Sequence, residues 1–246
     1  MYGHYTEQLM ISLKTAARWL DISGKAIAKA LKTQKRILTF EDMRVVARTL
    51  KLNPAFSVLT VGIEKGGVGK SAAAVNLASF MAARGMRVCV VDFDPQACAT
   101  NFLLPDDTDY SRLTTLLEVF TTDGMTASDA AIPSRFEGVW LVPSKAGVRA
   151  VSRQWSGVQM FEKVRESVIP GAENRFDLMI FDVPPSFSDR IAAAYMAADL
   201  VLMPVIPDSW SIESIALTLE DIRDTATLWN LKQPATRLVL NRYNPH

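Results

Sequence analysis

The eight residues Glu64-Lys65-Gly66-Gly67-Val68-Gly69-Lys70-Ser71 constrain this chain more than any other stretch. They follow the apolar run Val58-Leu59-Thr60-Val61-Gly62-Ile63 and precede the Ala-rich run Ala72-Ala73-Ala74-Val75-Asn76-Leu77-Ala78. The first run reads as a strand and the second as a helix, and a glycine-rich turn between them is a phosphate-binding loop. Glycine has no Cβ, so the backbone can curl and point several N–H groups inward. The helix that follows aims its positive end at the same spot. Lys70 is placed to reach the β- and γ-phosphates of a nucleotide, and the Ser71 hydroxyl suits a magnesium ion. Nucleotide contacts are therefore expected from Gly66, Gly67, Val68, Gly69, Lys70, Ser71 and Ala72.

From Phe56 onward strand-like and helix-like stretches alternate, which predicts a mainly parallel sheet flanked by helices. A helix is expected to run to about Ala83 and stop at Gly85. Strands are expected over 87–91, 139–143, 177–182, 200–205 and 237–240, and helices over 113–120, 158–167, 192–198 and 212–228. In such sheets ligands bind at the carboxyl ends of the strands. Asp92, Asp94, Asp182 and Asn241 sit at such ends. Asp182 follows four apolar residues and is expected to hold magnesium through a water, with Ser71 as a direct ligand and Asp92 supporting the metal shell. Asp94 is expected to orient the water that attacks the γ-phosphate. A capping role is the structural alternative for Asp92.

The formal net charge of +1 over 246 residues hides an asymmetry. Residues 1–55 hold ten Lys/Arg and four Asp/Glu, and the rest holds 17 and 22. A basic segment joined to an acidic body points to an anionic partner such as DNA. Leu13, Ala16, Ala17 and Leu20 recur at helical spacing. Asp21-Ile22-Ser23-Gly24 reads as a turn with Gly24 at positive φ, and a second helix runs from Lys25 to Thr33 with Ile27 and Leu31 inward. Lys25, Lys29 and Lys32 share its other face. The order is that of a helix-turn-helix, whose second helix enters the major groove. Lys35-Arg36-Ile37-Leu38 suggests a short wing, and Thr39 with Asp42 a helix start. Lys25, Lys29, Lys32, Lys35 and Arg36 are the expected DNA contacts. Asn53-Pro54 marks the expected boundary between a 1–54 unit and a 55–246 unit.

No stretch approaches the roughly 18 apolar residues of a membrane span. The N-terminus has no signal-peptide pattern. Cys89 and Cys98 fit neither a disulfide framework nor a metal motif. The reading is cytoplasmic, without a membrane partner.

Lys65-Gly66-Gly67-Val68-Gly69-Lys70-Ser71 resembles the deviant Walker A motif of the ParA/MinD ATPases, with the extra lysine at Lys65. Asp92-Phe93-Asp94-Pro95-Gln96 resembles the D-x-D-P-Q segment of the partition branch, and Phe181-Asp182-Val183-Pro184-Pro185-Ser186 the D-x-P-P-S Walker B region. The resemblance covers about residues 56–246. The basic N-terminal unit resembles the helix-turn-helix of larger plasmid ParA proteins. The resemblance implies an α/β P-loop NTPase preceded by a small all-α (winged) helix-turn-helix domain. It implies hydrolysis of ATP to ADP and phosphate with Mg2+, catalysed by Lys65, Lys70 and Asp94. It also implies a homodimer in which Lys65 reaches the partner subunit's phosphates, and places Pro207, Asp208 and Asn241 near the adenine. The implied partners are DNA, operator or non-specific, and a ParB-like centromere-binding protein, with autorepression as a second activity. Two departures stand out: Glu64 precedes the signature lysine, and the chain stops soon after Asn241, where relatives continue, so the ATPase domain is expected to lack its C-terminal part. The alternatives are a nucleotide-responsive transcriptional regulator and a MinD-like positioning ATPase. An iron–sulfur reductase of the nitrogenase type is disfavoured because Cys89 lies inside a strand.

Overall fold

Polar caps and short apolar stripes shape the N-terminal segment. A computed structural model describes residues 10–32, 35–52, 55–151 and 154–242. β1 (Ile11–Ser12) leads into α1 (Leu13–Leu20), then α2 (Gly24–Leu31), β2 (Ile37–Leu38) and α3 (Phe40–Thr49). Ser12, Ser23 and Thr39 cap the three helices with their hydroxyls, and Thr39 with Asp42 forms a reciprocal capping box. The apolar stripes meet in one cluster built on Ala16, Leu20, Ile27, Met43 and Val46.

Three expectations change here. The left-handed residue of the α1–α2 turn is Asp21, at φ 54°, and not Gly24. Asp tolerates that region because its short polar side chain bonds locally, so Gly24 becomes the first residue of α2 under the Ser23 cap. Ile37 and Leu38 form no free wing: they pair antiparallel with Ser12 and Ile11. The unit is therefore not all-α. The expected boundary residues Asn53 and Pro54, and the expected helix end at Thr33, lie outside the described residues.

The body continues as β3 (Ser57–Val61), α4 (Lys70–Ala83), β4 (Val88–Asp92), α5 (Cys98–Leu103), α6 (Leu116–Thr121), α7 (Ala127–Ala130), β5 (Ile132–Pro133) and β6 (Val139–Val142). Next come α8 (Val148–Val151), α9 (Gly157–Lys163), α10 (Ala172–Arg175), β7 (Leu178–Asp182), α11 (Asp189–Met196), β8 (Leu200–Val205), α12 (Ser209–Leu228) and β9 (Ala235–Leu240). The sheet order is β5-β6-β4-β7-β3-β8-β9. All neighbours are parallel except β5, which pairs antiparallel with β6. Pro133 suits that edge position because it has no N–H to donate.

The central strands are apolar at nearly every position, so both sheet faces need cover. Alternate residues supply the two cores. Cys89, Val91, Met179 and Phe181 face one layer, and Val88, Val90, Leu178 and Ile180 face the layer that holds α4. Thr115 and Glu118 form a capping box that starts α6 at Leu116, three residues after the expected start. The expected helix over 158–167 is α9 followed by a π-turn over Val164–Val168. Strand β8 falls on the expected 200–205 span.

The N-terminal unit is seated on the body. Ala83 of α4 belongs to the N-terminal cluster, Phe40 of α3 belongs to the α4-side core, and Trp19 meets Phe80 edge-on at 5.5 Å. Gly138, at φ 82°, lies so close to Phe40 that a Cβ would come within 2.4 Å of the ring. The contact is at the C-terminal end of α4. The P-loop is at its other end.

Candidate nucleotide site

Parallel strands end in register, and that register assembles the site. Val61 pairs with Asp182, and Asp182 pairs with Asp92, so β3, β7 and β4 deliver their last residues to one line. The glycine loop starts just beyond β3 and ends in α4. Gly67 and Gly69 adopt φ 72° and 90°, conformations that L side chains rarely take. A Cβ on Gly66 or Gly67 would meet nothing within 4 Å, so the loop is open where it faces a ligand. Gly69 differs: a Cβ there would sit 2.6 Å from Asn241 Nδ2. That same amide donates to the Val68 carbonyl at 2.8 Å. Asn241, at the end of β9, therefore braces the loop directly.

Lys70 opens α4 and is only 8% exposed. Its ammonium donates to the Lys65 carbonyl at 2.6 Å. Burial holds its pKa below the usual lysine value, against the pull of Asp182 and Asp94. Asp182 is fully buried, and neither of its carboxylate oxygens has a hydrogen-bond partner among the described residues. Burial, reinforced by the charge on Asp92, pushes it well above the usual carboxylate range, while the charge on Lys70 draws it back. An orphaned buried carboxylate beside a serine and a lysine fits a cation that these residues are built to receive. Ser71 and Asp182 would hold magnesium, which when bound neutralises charge on the phosphates.

Asp92 has another task in this structure. Its Oδ1 accepts the Asp94 N–H at 2.9 Å, and its Oδ2 accepts the N–H and hydroxyl of Thr100 at 2.8 and 2.7 Å. It thus pins the β4–α5 loop and is committed as a cap. Asp94 is half-buried, and its Oδ1 accepts the Gln96 N–H at 2.9 Å. Its charge is felt by Lys70 and Asp182, which keeps it within range of the phosphate end.

Lys65 is tied within its own chain. Its ammonium lies 2.6 and 2.7 Å from the two Asp208 oxygens and 3.2 Å from Ser211 Oγ. Asp208 also caps α12 through the Ser211 N–H at 2.8 Å. The lysine lowers the Asp208 pKa. Asp208 thus holds Lys65 at the loop mouth, beside the exposed Pro207. The sequence reading missed Ser211, whose only signal was its place in the first turn of a long helix.

The reading also missed the partner of Glu64. The backbone N–H of Glu64 donates to Thr218 Oγ1 at 3.1 Å, and its carboxyl lies within electrostatic reach of Asp221 on α12. Burial, then Asp221, raises the Glu64 carboxyl to about 7. Folding therefore favours the protonated form. The resulting stability is full below the ordinary value of 4.5 and is lost as pH rises through 7. Glu64→Gln supplies a donor that never ionises. We expect the variant to be more stable than the parent at pH 8, by on the order of 1 kcal/mol because the pair is partly solvated. At pH 4 the two should match. Urea melts at both pH values check this, and equal pH slopes for the two proteins would contradict it.

Of the expected DNA contacts, Lys25, Lys29, Lys32 and Arg36 are exposed and form no ion pair among the described residues. Lys35 is held by Asp42 at 3.1 Å. The two groups do not converge: the basic residues belong to the N-terminal unit and the phosphate loop to the body.

The chain matches an AAA domain family model over residues 56–232. It is 28% identical over 204 residues to the chromosome partitioning protein ParA of Caulobacter vibrioides, covering 79% of this chain and 72% of that one. It is 31% identical over 163 residues to the chromosome-partitioning ATPase Soj of Thermus thermophilus, covering 65% and 60%. Among solved structures it resembles cobyrinic acid a,c-diamide synthase from Mycobacterium smegmatis with bound ADP and magnesium. The TM-score is 0.65 at 25% identity, covering 77% of this chain and 76% of that one.

Proposed function

The chain belongs to the AAA-domain family represented by that model and, within it, to the ParA/MinD P-loop ATPases, and on that premise we propose that it is a DNA-partition ATPase. ATP hydrolysis to ADP and phosphate with magnesium is its chemistry. In the proposed cycle the loop residues 66–72 hold the phosphates, Lys70 neutralises the β/γ end, Asp94 positions water, and Asn241, Pro207 and Asp208 flank the base. ATP brings two copies together. Lys65 then leaves Asp208 and places its charge at the partner subunit's phosphates. The N-terminal unit, residues 1–54, binds DNA through α2, at an operator for autorepression or along the nucleoid. A ParB-like centromere-binding protein stimulates turnover in the bacterial cytoplasm. No helix among the described residues is long and apolar enough to cross a membrane.

The observation that supports the DNA part is the exposed pair Lys25 and Lys29 on a capped helix of a helix pair, followed by the exposed Lys32 at its left-handed C-cap. Such a row neutralises phosphates, and its removal lowers the salt dependence of binding by about one unit per lost contact. Lys25→Ala/Lys29→Ala is expected to weaken operator-duplex binding at 50 mM salt by about tenfold or more and to flatten the salt slope by about two. Fluorescence anisotropy across a salt series reads both. Unchanged affinity and slope would remove the recognition-helix assignment.

A further inference from the structure

Beside Asp94 lies a cavity of about 390 Å³ whose lining includes Ser186, Ser188, Arg149 and Arg190. It opens where the carboxyl ends of β4 and β7 meet the start of α11. Two arginines sharing one cavity is an unusual charge arrangement, because a guanidinium is never deprotonated in proteins and each repels the other. Arg190 is only 4% exposed. Its Nη1 donates to the Val148 carbonyl at 2.5 Å, and its Nε is buried without a partner among the described residues. Neither Arg149 nor Arg190 forms an ion pair among the described residues. Burial, helped by the charge on Arg149, lowers the Arg190 pKa to about 10 against the pull of Asp94 and Asp92. Buried charges are normally paired or bound to an ion. Ser188, at the start of α11, makes no capping bond with its side chain, so its hydroxyl is available as well.

The fork of an arginine matches phosphate oxygens with two parallel bonds. Asp94 lines the same cavity and, in the reading above, stands beside the water that attacks the γ-phosphate. We propose that the Arg149–Arg190 cavity is an oxyanion site of the phosphate class, which receives the phosphate cleaved from ATP before that phosphate leaves the protein. The site is distinct from the P-loop, whose N–H groups hold the nucleotide's own phosphates. The inference rests on the nucleotide lying at the P-loop. Its role is to hold the product dianion by positive charge against the repulsion of Asp94, which shares the lining, and to draw it off the Asp182 end of the P-loop.

The test titrates inorganic phosphate into the full chain saturated with ADP and magnesium, followed by calorimetry. Saturation by ADP is measured in the same series, so a failure of the nucleotide reading is seen on its own. Phosphate is expected to bind the parent, about tenfold more weakly to Arg190→Gln, and with part of the affinity restored in Arg190→Lys. Arg149→Gln changes an exposed residue, so it keeps the test valid should Arg190→Gln not fold; a severalfold loss is expected there. In a single turnover, quenched-flow cleavage should precede phosphate release detected by a phosphate sensor, and the lag should shorten in Arg149→Gln. Binding at equilibrium without any lag would mark the site as one for free phosphate and overturn the product role. ADP binding with no phosphate binding, or phosphate affinity identical in all variants, would overturn the site.

Discussion

Lys70→Ala is expected to lower kcat for ATP hydrolysis by about 10²–10³-fold, the loss typical of removing one preorganised charge from a transition state. The structure adds a second, less common expectation. Lys70 is nearly enclosed, and burial already disfavours its charged form. Among the described residues its ammonium donates to the Lys65 carbonyl alone. Removing it relieves a desolvation cost while taking one compensating charge from Asp182, which is already pushed toward its neutral form. The nucleotide-free variant should therefore melt no lower than the parent. Activity and stability would move independently, as expected of a residue kept for function at a cost in stability. Steady-state turnover and a thermal melt of the apo protein check both halves. A variant that retains parental kcat would rule out Lys70 as the phosphate ligand.

Lys65→Ala should behave differently. Lys65 is paired in its own chain with Asp208 and Ser211, and its carbonyl serves Lys70. The carbonyl survives the substitution, so nucleotide affinity should change by less than about threefold, as for the loss of a partly exposed ion pair. In the proposed cycle, turnover stimulated by a ParB-like protein should fall by about 10²-fold, because that cycle places the Lys65 charge at the partner subunit's phosphates. Asp208 keeps its other bond, to the Ser211 N–H, so α12 stays capped. The check is to measure Kd for ATP and stimulated kcat on the same preparation. Full stimulated turnover would mean that Lys65 only ties the loop to α12.

Most of the site was legible because it lies at strand ends. Asp182 and Asn241 follow apolar runs that form β7 and β9, and parallel registry brings strand ends to one edge. The glycines were legible because positive φ at Gly67 and Gly69 leaves few other residues possible. Long-range pairs were hidden. Glu64 meets Asp221, and Lys65 meets Asp208, across separations set by the packing of α12 over the loop. No local pattern encodes a partner 143 positions away. Asp92 shows a second limit. A strand-end aspartate reads alike as a metal ligand or a cap, and only the position of Thr100, on α5, separates the two. Helical spacing marked the two stretches that form α1 and α2. The two-stranded ribbon of the N-terminal unit was missed because two-residue strands have no period to detect.

In the proposed cycle, nucleotide occupancy of the P-loop governs how this chain holds DNA. The most direct measurement is the affinity of the full chain for an operator duplex and for a random duplex, each without nucleotide, with ADP and with a non-hydrolysable ATP analogue plus magnesium. Binding to random DNA that appears only with the ATP analogue is the predicted result. Operator binding that is indifferent to nucleotide, with no binding to random DNA in any state, would contradict the partition reading and leave a DNA-binding regulator in its place.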